Sequence, residues 1–135
     1  MARTKEQRSW DTFSKAIDPK SLKCIRIENL YSDGIPDVIV QNRRGATIWI
    51  ENKALDCWPV RATTKPLRTA FEAGQLAFGR DWINWGGHAF VLLRVGLDYF
   101  LLDPACDLKD LTRDEIETGA VSVGKQEIIG YLESR

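Results

Sequence analysis

The sequence is short of the residues that several kinds of chemistry need. It holds three cysteines, Cys24, Cys57 and Cys106, in 135 residues. They are odd in number and far apart, with no C-x-x-C. That argues against a disulfide framework and a zinc knuckle, and for a reducing cytosol. The one histidine, His88, heads an apolar strand pattern, where a structural role outweighs a role as ligand or base. Catalysis by a Ser-His or Cys-His pair would have to pass through that single residue. The longest apolar run, near Phe90 to Leu93, is far too short to span a bilayer. The opening residues MARTKEQRSW carry no apolar stretch of a secretory leader. Repeats, low-complexity stretches and domain linkers are lacking too, so a single domain over 1–135 is expected, long enough to bury a core without staples.

Net charge is also lacking, but the zero hides an asymmetry. Residues 1–94 hold 15 Lys and Arg against 10 Asp and Glu, while residues 95–135 hold 4 against 9. A basic first two-thirds is compatible with a polyanionic partner, with the acidic remainder facing away. Solvated faces without a partner account for the charges equally well.

Residues 4–17 read as a helix, with Thr4 as N-cap and Gln7 completing a capping box. Trp10, Phe13 and Ile17 fall at helical spacing and define its buried stripe. Glu6 lies on the same stripe. A carboxylate on a core face needs a metal or an arginine; on helix grounds alone, the reading in which Glu6 favours the dipole and points to water comes first. Residues 22–29 alternate as a strand and Tyr31 to Pro36 read as a loop. Leu55 to Pro66 is polar and irregular, either a plain connection or a segment lying along a ligand. A second helix is expected over 70–85, capped at Thr69 with Glu72 and stopped by Gly86-Gly87. Its apolar stripe is Phe71, Phe78, Trp82 and Trp85, with Gln75 among them. That glutamine either contacts a site or has buried backbone partners. Gly74 and Gly79 weaken the helix and suggest close packing on the sheet. His88 to Val95 reads as a central strand and Leu97 to Asp103 as its hairpin partner. Thr112 caps a short acidic helix, and residues 121–132 are weakly patterned, a last strand or helix. The order α-β-β-β-α-β-β predicts an α/β domain with a mixed sheet flanked by helices. Its core is expected over 4–103, with an acidic extension at 104–135.

The stretch Gly34 to Lys53, GIPDVIVQNRRGATIWIENK, organises the rest. If Arg43-Arg44-Gly45 is a three-residue loop with Gly45 in the left-handed position, the register pairs Val40 with Ile48 and Val38 with Ile50. Asp37 then falls opposite Glu51. Opposed residues share a face, so the two Cβ atoms stand roughly 5 Å apart. Lys53 points to that same face because strand side chains alternate. Two carboxylates at that distance repel unless something positive sits between them. A hard divalent cation takes one or two carboxylates and keeps several waters. Asp37 and Glu51 would supply them, with the backbone carbonyl of Asn52 as a further donor. Lys53 would orient a bound water, take its proton, or stabilise charge on phosphorus. The bland alternative is that Glu-x-Lys on a strand is a solvated face.

Pro36-Asp37 followed by Glu51-Asn52-Lys53 in the next strand resembles the PD-(D/E)xK nucleases. The Gly34 to Val38 stretch, the Gln75 helix and the Ala89 to Val95 strand resemble the small phage and bacterial enzymes of the VRR-NUC and Holliday-junction-resolvase type. The resemblance covers roughly residues 4–103. It implies a restriction-endonuclease-like fold, dependence on Mg²⁺ or Mn²⁺, and hydrolysis of DNA phosphodiester bonds. It implies Asp37 and Glu51 as metal ligands, Lys53 as catalytic lysine, Gln75 as the glutamine of the following helix, and Glu6 as the first-helix glutamate completing the metal site. Glu28 is the second choice for that last role. Two features depart from the pattern: the chain lacks a strongly basic surface, and Asn52 replaces an apolar residue. The expectation is a metal-dependent endonuclease acting on DNA, with branched or junction DNA as a substrate class, in the cytoplasm of a bacterial or phage-infected cell. Resolving a junction needs two sites and hence a homodimer, for which five tryptophans leave apolar surface. The alternative is a non-catalytic module that keeps the fold and binds nucleic acid or protein.

Overall fold

The turn at Gly45 is built as its chemistry requires. In a computed structural model, which describes residues 4–27 and 35–135, Gly45 takes φ +88°, a left-handed angle that costs a residue with a Cβ but not glycine. The Asn42 side chain secures the turn: its Oδ1 accepts from the N–H groups of Arg44 (2.9 Å) and Ala46 (3.0 Å). Its Nδ2 donates to the carbonyls of Leu132 and Arg135 at 3.0 and 2.8 Å. One buried asparagine therefore ties the hairpin to the C-terminal helix.

The strands that follow are β1 (Leu22–Arg26), β2 (Val38–Asn42), β3 (Thr47–Leu55), β4 (His88–Val95), β5 (Asp98–Leu102) and β6 (Ser122–Val123). They form one six-stranded sheet in sequence order. All neighbours are antiparallel except β3 and β4, which are parallel. Parallel pairing needs a crossover, and helix α2 (Gln75–Asn84) provides it. The expected hairpin register is the observed one, with Val38 opposite Ile50, Ile39 opposite Trp49 and Val40 opposite Ile48.

Alternation then sorts the sheet into two faces. Val38, Val40, Ile48, Ile50, Leu92 and Leu101 pack against Trp10 and Phe13 of helix α1 (Lys5–Ser14) and Ile128, Ile129 and Leu132 of helix α4 (Lys125–Glu133). On the other face Val91, Leu93, Phe100 and Leu102 pack against Leu76 of α2, Leu108 and Ile116. Ile116 belongs to helix α3 (Arg113–Gly119), which opens on a Thr112–Glu115 capping box. This second face is covered over β3, β4 and β5, where Trp49 of β3 meets Phe78 and Trp82 of α2 at 5.1 and 5.9 Å between ring centroids. Over β1 and β2, Ile25 is 47% exposed and Ile39 is half-buried.

Several elements differ from the sequence expectation. Helix α1 has the expected Thr4–Gln7 capping box but ends at Ser14. The crossover helix begins at Gln75, not at 70. Gly74, at φ +86°, is its N-cap, and a left-handed residue cannot lie inside a right-handed helix. Thr69 therefore caps nothing, and Phe71 lies outside the helix. The side buried by α2 is Leu76 and Gly79, while Trp82 is 36% and Trp85 81% exposed. Trp82 still packs edge-on against Trp49 of β3 and stacks on Phe78, whereas Trp85 lies past the end of the shorter helix. Residues 56–73 form no regular element, yet Leu67 is fully buried and Trp58 meets Phe100 edge-on at 5.5 Å. The segment is a packed strap. Residues 121–132 hold both a strand and a helix, and the segment 104–135 supplies Leu108, Ile116, Ile128 and Leu132 to the two cores. Most of the Tyr31 to Pro36 loop, and Glu28, lie outside the described residues. Among the described residues, no helix is long and apolar enough to cross a membrane.

Gly79 sets the distance between α2 and the sheet edge: a Cβ there would stand 2.9 Å from Pro104 Cγ and 3.7 Å from Ala89 Cβ. Gly130, inside α4, has nothing within 4 Å of such a Cβ. Gly79→Val is therefore expected to lose about 1–3 kcal/mol by overpacking. Gly130→Ala is expected to gain about 0.5–1 kcal/mol from helix propensity. Urea denaturation of the two variants checks both signs.

Candidate functional site

The hairpin delivers its polar end to a cleft. Past the last regular pair, Val38 and Ile50, the next residues are Asp37 and Glu51. The Asp37 carbonyl accepts from Ile27 N at 2.7 Å, and its carboxylate Oδ2 accepts from Asn52 N at 2.9 Å. Asp37 is thus fixed on both sides by backbone although it lies just outside β2. A cavity of about 280 Å³ opens there, and Glu6, Gln7, Asp37, Glu51, Asn52, Lys53 and Gln75 line it together with Thr4, Arg26, Ile27 and Glu72. Six of the residues singled out in the sequence, Glu6, Asp37, Glu51, Asn52, Lys53 and Gln75, line one cleft, carried by α1, the hairpin and α2. His88 does not line it.

Glu51 and Lys53 are buried at 4% and 6% exposure. Lys53 Nζ stands 3.9 Å from Glu51 Oε2 and 5.2 Å above the Phe71 ring. Gln75, the first residue of α2, bridges two elements. Its Nε2 donates to Glu51 Oε2 at 3.2 Å, and its Oε1 accepts from Glu72 N at 2.9 Å. The later start of α2 explains this, because the side chain of a helix's first residue can reach back to the chain preceding it. The half-buried Gln75 side chain thus has both a backbone partner and a contact with Glu51. Phe71 and Glu72 escaped the sequence reading because the capping-box pattern placed them inside a helix.

Burial pushes the Glu51 carboxyl up to about 9. Repulsion from Asp37 adds to it, and a hydrogen bond to Asp37 and the charge of Glu6 add less, while Lys53 pulls the other way. The 3.9 Å ion pair is too long to offset desolvation and a second carboxylate together. With both carboxyls ionised, Glu51 Oε1 is buried with no hydrogen-bond partner; a proton or a cation between it and Asp37 would supply one. This is a donor set a hard cation fits: an unsatisfied buried carboxylate oxygen next to a second carboxylate. Asn52 can add a carbonyl. In a strand the N–H and C=O of one residue point to the same edge, so this carbonyl faces the Asp37 side. Pro36, which continues the register opposite it, has no N–H to offer. Glu6 lines the cleft and its charge reaches Glu51, but among the described residues no three His, Cys, Asp or Glu side chains group closely enough to hold a metal. The Asn52 side chain is buried with an unpartnered Oδ1 on the opposite, α1-facing side of the sheet.

The arrangement is that of a restriction-endonuclease-like α/β fold, a mixed sheet flanked by helices. A solved structure of Hjc, a Holliday junction resolvase from the archaeal hyperthermophile Archaeoglobus fulgidus, superposes with a TM-score of 0.60. The match covers 96% of this chain and 99% of that one, at 15% sequence identity. At that identity the likeness is one of fold. No protein-family model matches the sequence, and no curated protein matches it.

The raised Glu51 carboxyl makes stability depend on pH. Between roughly the ordinary carboxylate value of 4.5 and about 9, the folded metal-free protein holds a proton that the unfolded chain releases. The unfolded state binds fewer protons there, so stability falls as pH rises through that window. Glu51→Gln is expected to remove this slope and to stabilise the metal-free fold at pH 8 by about 1–3 kcal/mol. Thermal unfolding of both proteins in a chelator from pH 5 to 9 checks it.

Proposed function

We propose that this protein is a divalent-metal-dependent endodeoxyribonuclease of the resolvase type, acting on branched or junction DNA. The observation that carries the reading is that Asp37 and Glu51, each one residue past the last register pair Val38–Ile50, interact with Lys53 and Gln75 around Glu51. A structural protein has no use for a buried carboxylate with an unsatisfied oxygen set beside a second, half-buried one. Asp37 and Glu51, with the Asn52 carbonyl, would hold Mg²⁺ or Mn²⁺, and Glu6 would support the site from α1. When bound, such an ion supplies charge stabilisation at a phosphodiester and a lowered pKa for a coordinated water.

The chain's own residues do the rest. Asn52 N–H orients the Asp37 carboxylate, and Gln75 holds one oxygen of Glu51, leaving the other for the cation. Lys53, fixed between Glu51 and the Phe71 ring, presents an ammonium group to the attacking water or the charged phosphorus, where its proton and charge assist in-line hydrolysis. The likeness to an archaeal junction resolvase supports branched DNA as the substrate. Cutting two opposed strands of a junction calls for two copies of the site. The exposed Trp82 and Trp85, with Ile25 beside the open half of the sheet, offer apolar surface for a second copy. Such an enzyme works where DNA is branched, in the cytoplasm.

Cleavage of single-stranded, duplex, flap and four-way-junction DNA with Mg²⁺ and Mn²⁺ tests the reading. The parent protein is expected to cut junction or flap substrates. Asp37→Asn and Lys53→Ala are each expected to lower the rate by ~10²–10⁴-fold. Variants that cut as fast as the parent would refute the assignment. Binding without cutting would favour a non-catalytic module.

A further inference from the structure

The first turns of α1 divide between two clefts. Thr4, Glu6 and Gln7 line the acidic one described above. Lys5 and Arg8 line a second, of about 200 Å³, together with Asp56 and Arg94. Its floor is the end of β3, Ala54 and Leu55, the continuation of the strand that carries Glu51 and Lys53. From Asn52 to Leu55 is three strand residues, roughly 10 Å. A nucleic acid strand spaces its phosphates by a few ångströms of rise each, roughly 3.4 Å along a duplex. A strand that left Glu51 along β3 toward Leu55 would bring its neighbouring phosphates to this second cleft.

The cleft is cationic by three groups to one. Lys5 Nζ holds Asp56 Oδ2 at 2.8 Å. The hydrogen bond and charge of Lys5 keep the exposed Asp56 carboxyl below its usual range, with a smaller contribution from Arg8. Arg94 is held by its Nε bond to the Gly96 carbonyl at 2.8 Å and lies 5.6 Å over the Tyr99 ring. Among the described residues its two outer nitrogens have no hydrogen-bond partner. Asp56 is 79% exposed on its side chain, so the Lys5 pair contributes little to stability. A single carboxylate drawn between cations at the lip of a cleft occupies the place an anion would take.

We propose that the cleft of Lys5, Arg8 and Arg94 is a phosphate subsite for the nucleic acid strand that enters the Asp37–Glu51 site, and that Asp56 competes with that phosphate for Lys5. The subsite rests on the nuclease reading and adds to it a direction: the strand runs along β3 from Glu51 toward Leu55. It also gives the protein a point of attachment to a polyanion beside a cleft lined by acidic side chains.

The two occupants pull opposite ways under mutation. The test is fluorescence anisotropy of a labelled four-way DNA junction, with Ca²⁺ in place of Mg²⁺, over a series of salt concentrations. Asp56→Asn is expected to tighten binding about threefold to tenfold at low salt and to steepen the salt dependence by about one released counterion. The double variant Lys5→Ala, Arg8→Ala is expected to weaken binding about tenfold and to reduce that slope by one to two. In the cleavage assay Asp56→Asn is expected to lower KM without changing kcat. Melting temperatures near the parent's for all variants identify these effects as binding effects. A parent that binds and cuts junction DNA, with affinity and slope unchanged in both variants or weakened by Asp56→Asn, overturns the subsite and leaves the nuclease reading standing. A parent that neither binds nor cuts overturns both.

Discussion

Everything in the cleft follows from the repulsion between Asp37 and Glu51. The turn at Gly45 and the apolar pairs behind it fix the register, and the register leaves the two carboxylates opposite each other. The fold does not relieve that contact. It buries Glu51, brings Lys53 only to within 3.9 Å, and gives one oxygen of Glu51 to Gln75 while the other has no partner. Burial first, and the repulsion second, push the Glu51 carboxyl up to about 9, so that a proton there would relieve the contact. A cation does the same with more charge and without removing an acceptor. The contact is a local instability held in place by the sheet, a feature common at functional sites.

The supports come from three elements, each with an identifiable local cause. The Thr4–Gln7 box starts α1 where Glu6 faces the cleft. The left-handed Gly74 starts α2 late, so that Gln75 becomes its first residue and reaches back to Glu72 and across to Glu51. Gly79 lets α2 approach Pro104 and Ala89 closely enough for that reach. Asn42, at the far end of the hairpin, fastens the turn to the C-terminal carbonyls. Charge follows the same plan. The acidic cleft is lined by Glu6, Asp37, Glu51 and Glu72, and the cations Lys5, Arg8 and Arg94 gather around the next stretch of β3.

Much of this was legible in the sequence. Alternation and a glycine turn were enough to place Val38, Val40, Ile48 and Ile50 on one face and the Asp37, Glu51 and Lys53 set on the other, because register in a hairpin is a local property. The capping boxes at Thr4 and Thr112 were legible for the same reason. The pattern Thr69 to Glu72 looked like a third and was not. A capping box needs helical backbone after it, and Gly74 breaks that backbone; the conformation of one glycine is not written in its neighbours. Of the stripe Phe78, Trp82 and Trp85, the first two do pack on Trp49 of the sheet, while Trp85 falls past the helix end and is exposed, because helical spacing does not tell where the helix stops. The roles of Asn42 and of residues 104–135 in the core depend on contacts across some 90 positions, and no window along the chain contains them.

The central claim is that the facing carboxylates form a cation site. Thermal unfolding with and without Mn²⁺, for the parent and for Asp37→Asn, tests it most directly, because an ion that binds only the folded state must raise the melting temperature. The account predicts a rise in the parent that grows with Mn²⁺ concentration and is largely lost in Asp37→Asn. An unchanged melting temperature in the parent, or an equal rise in both proteins, would contradict it.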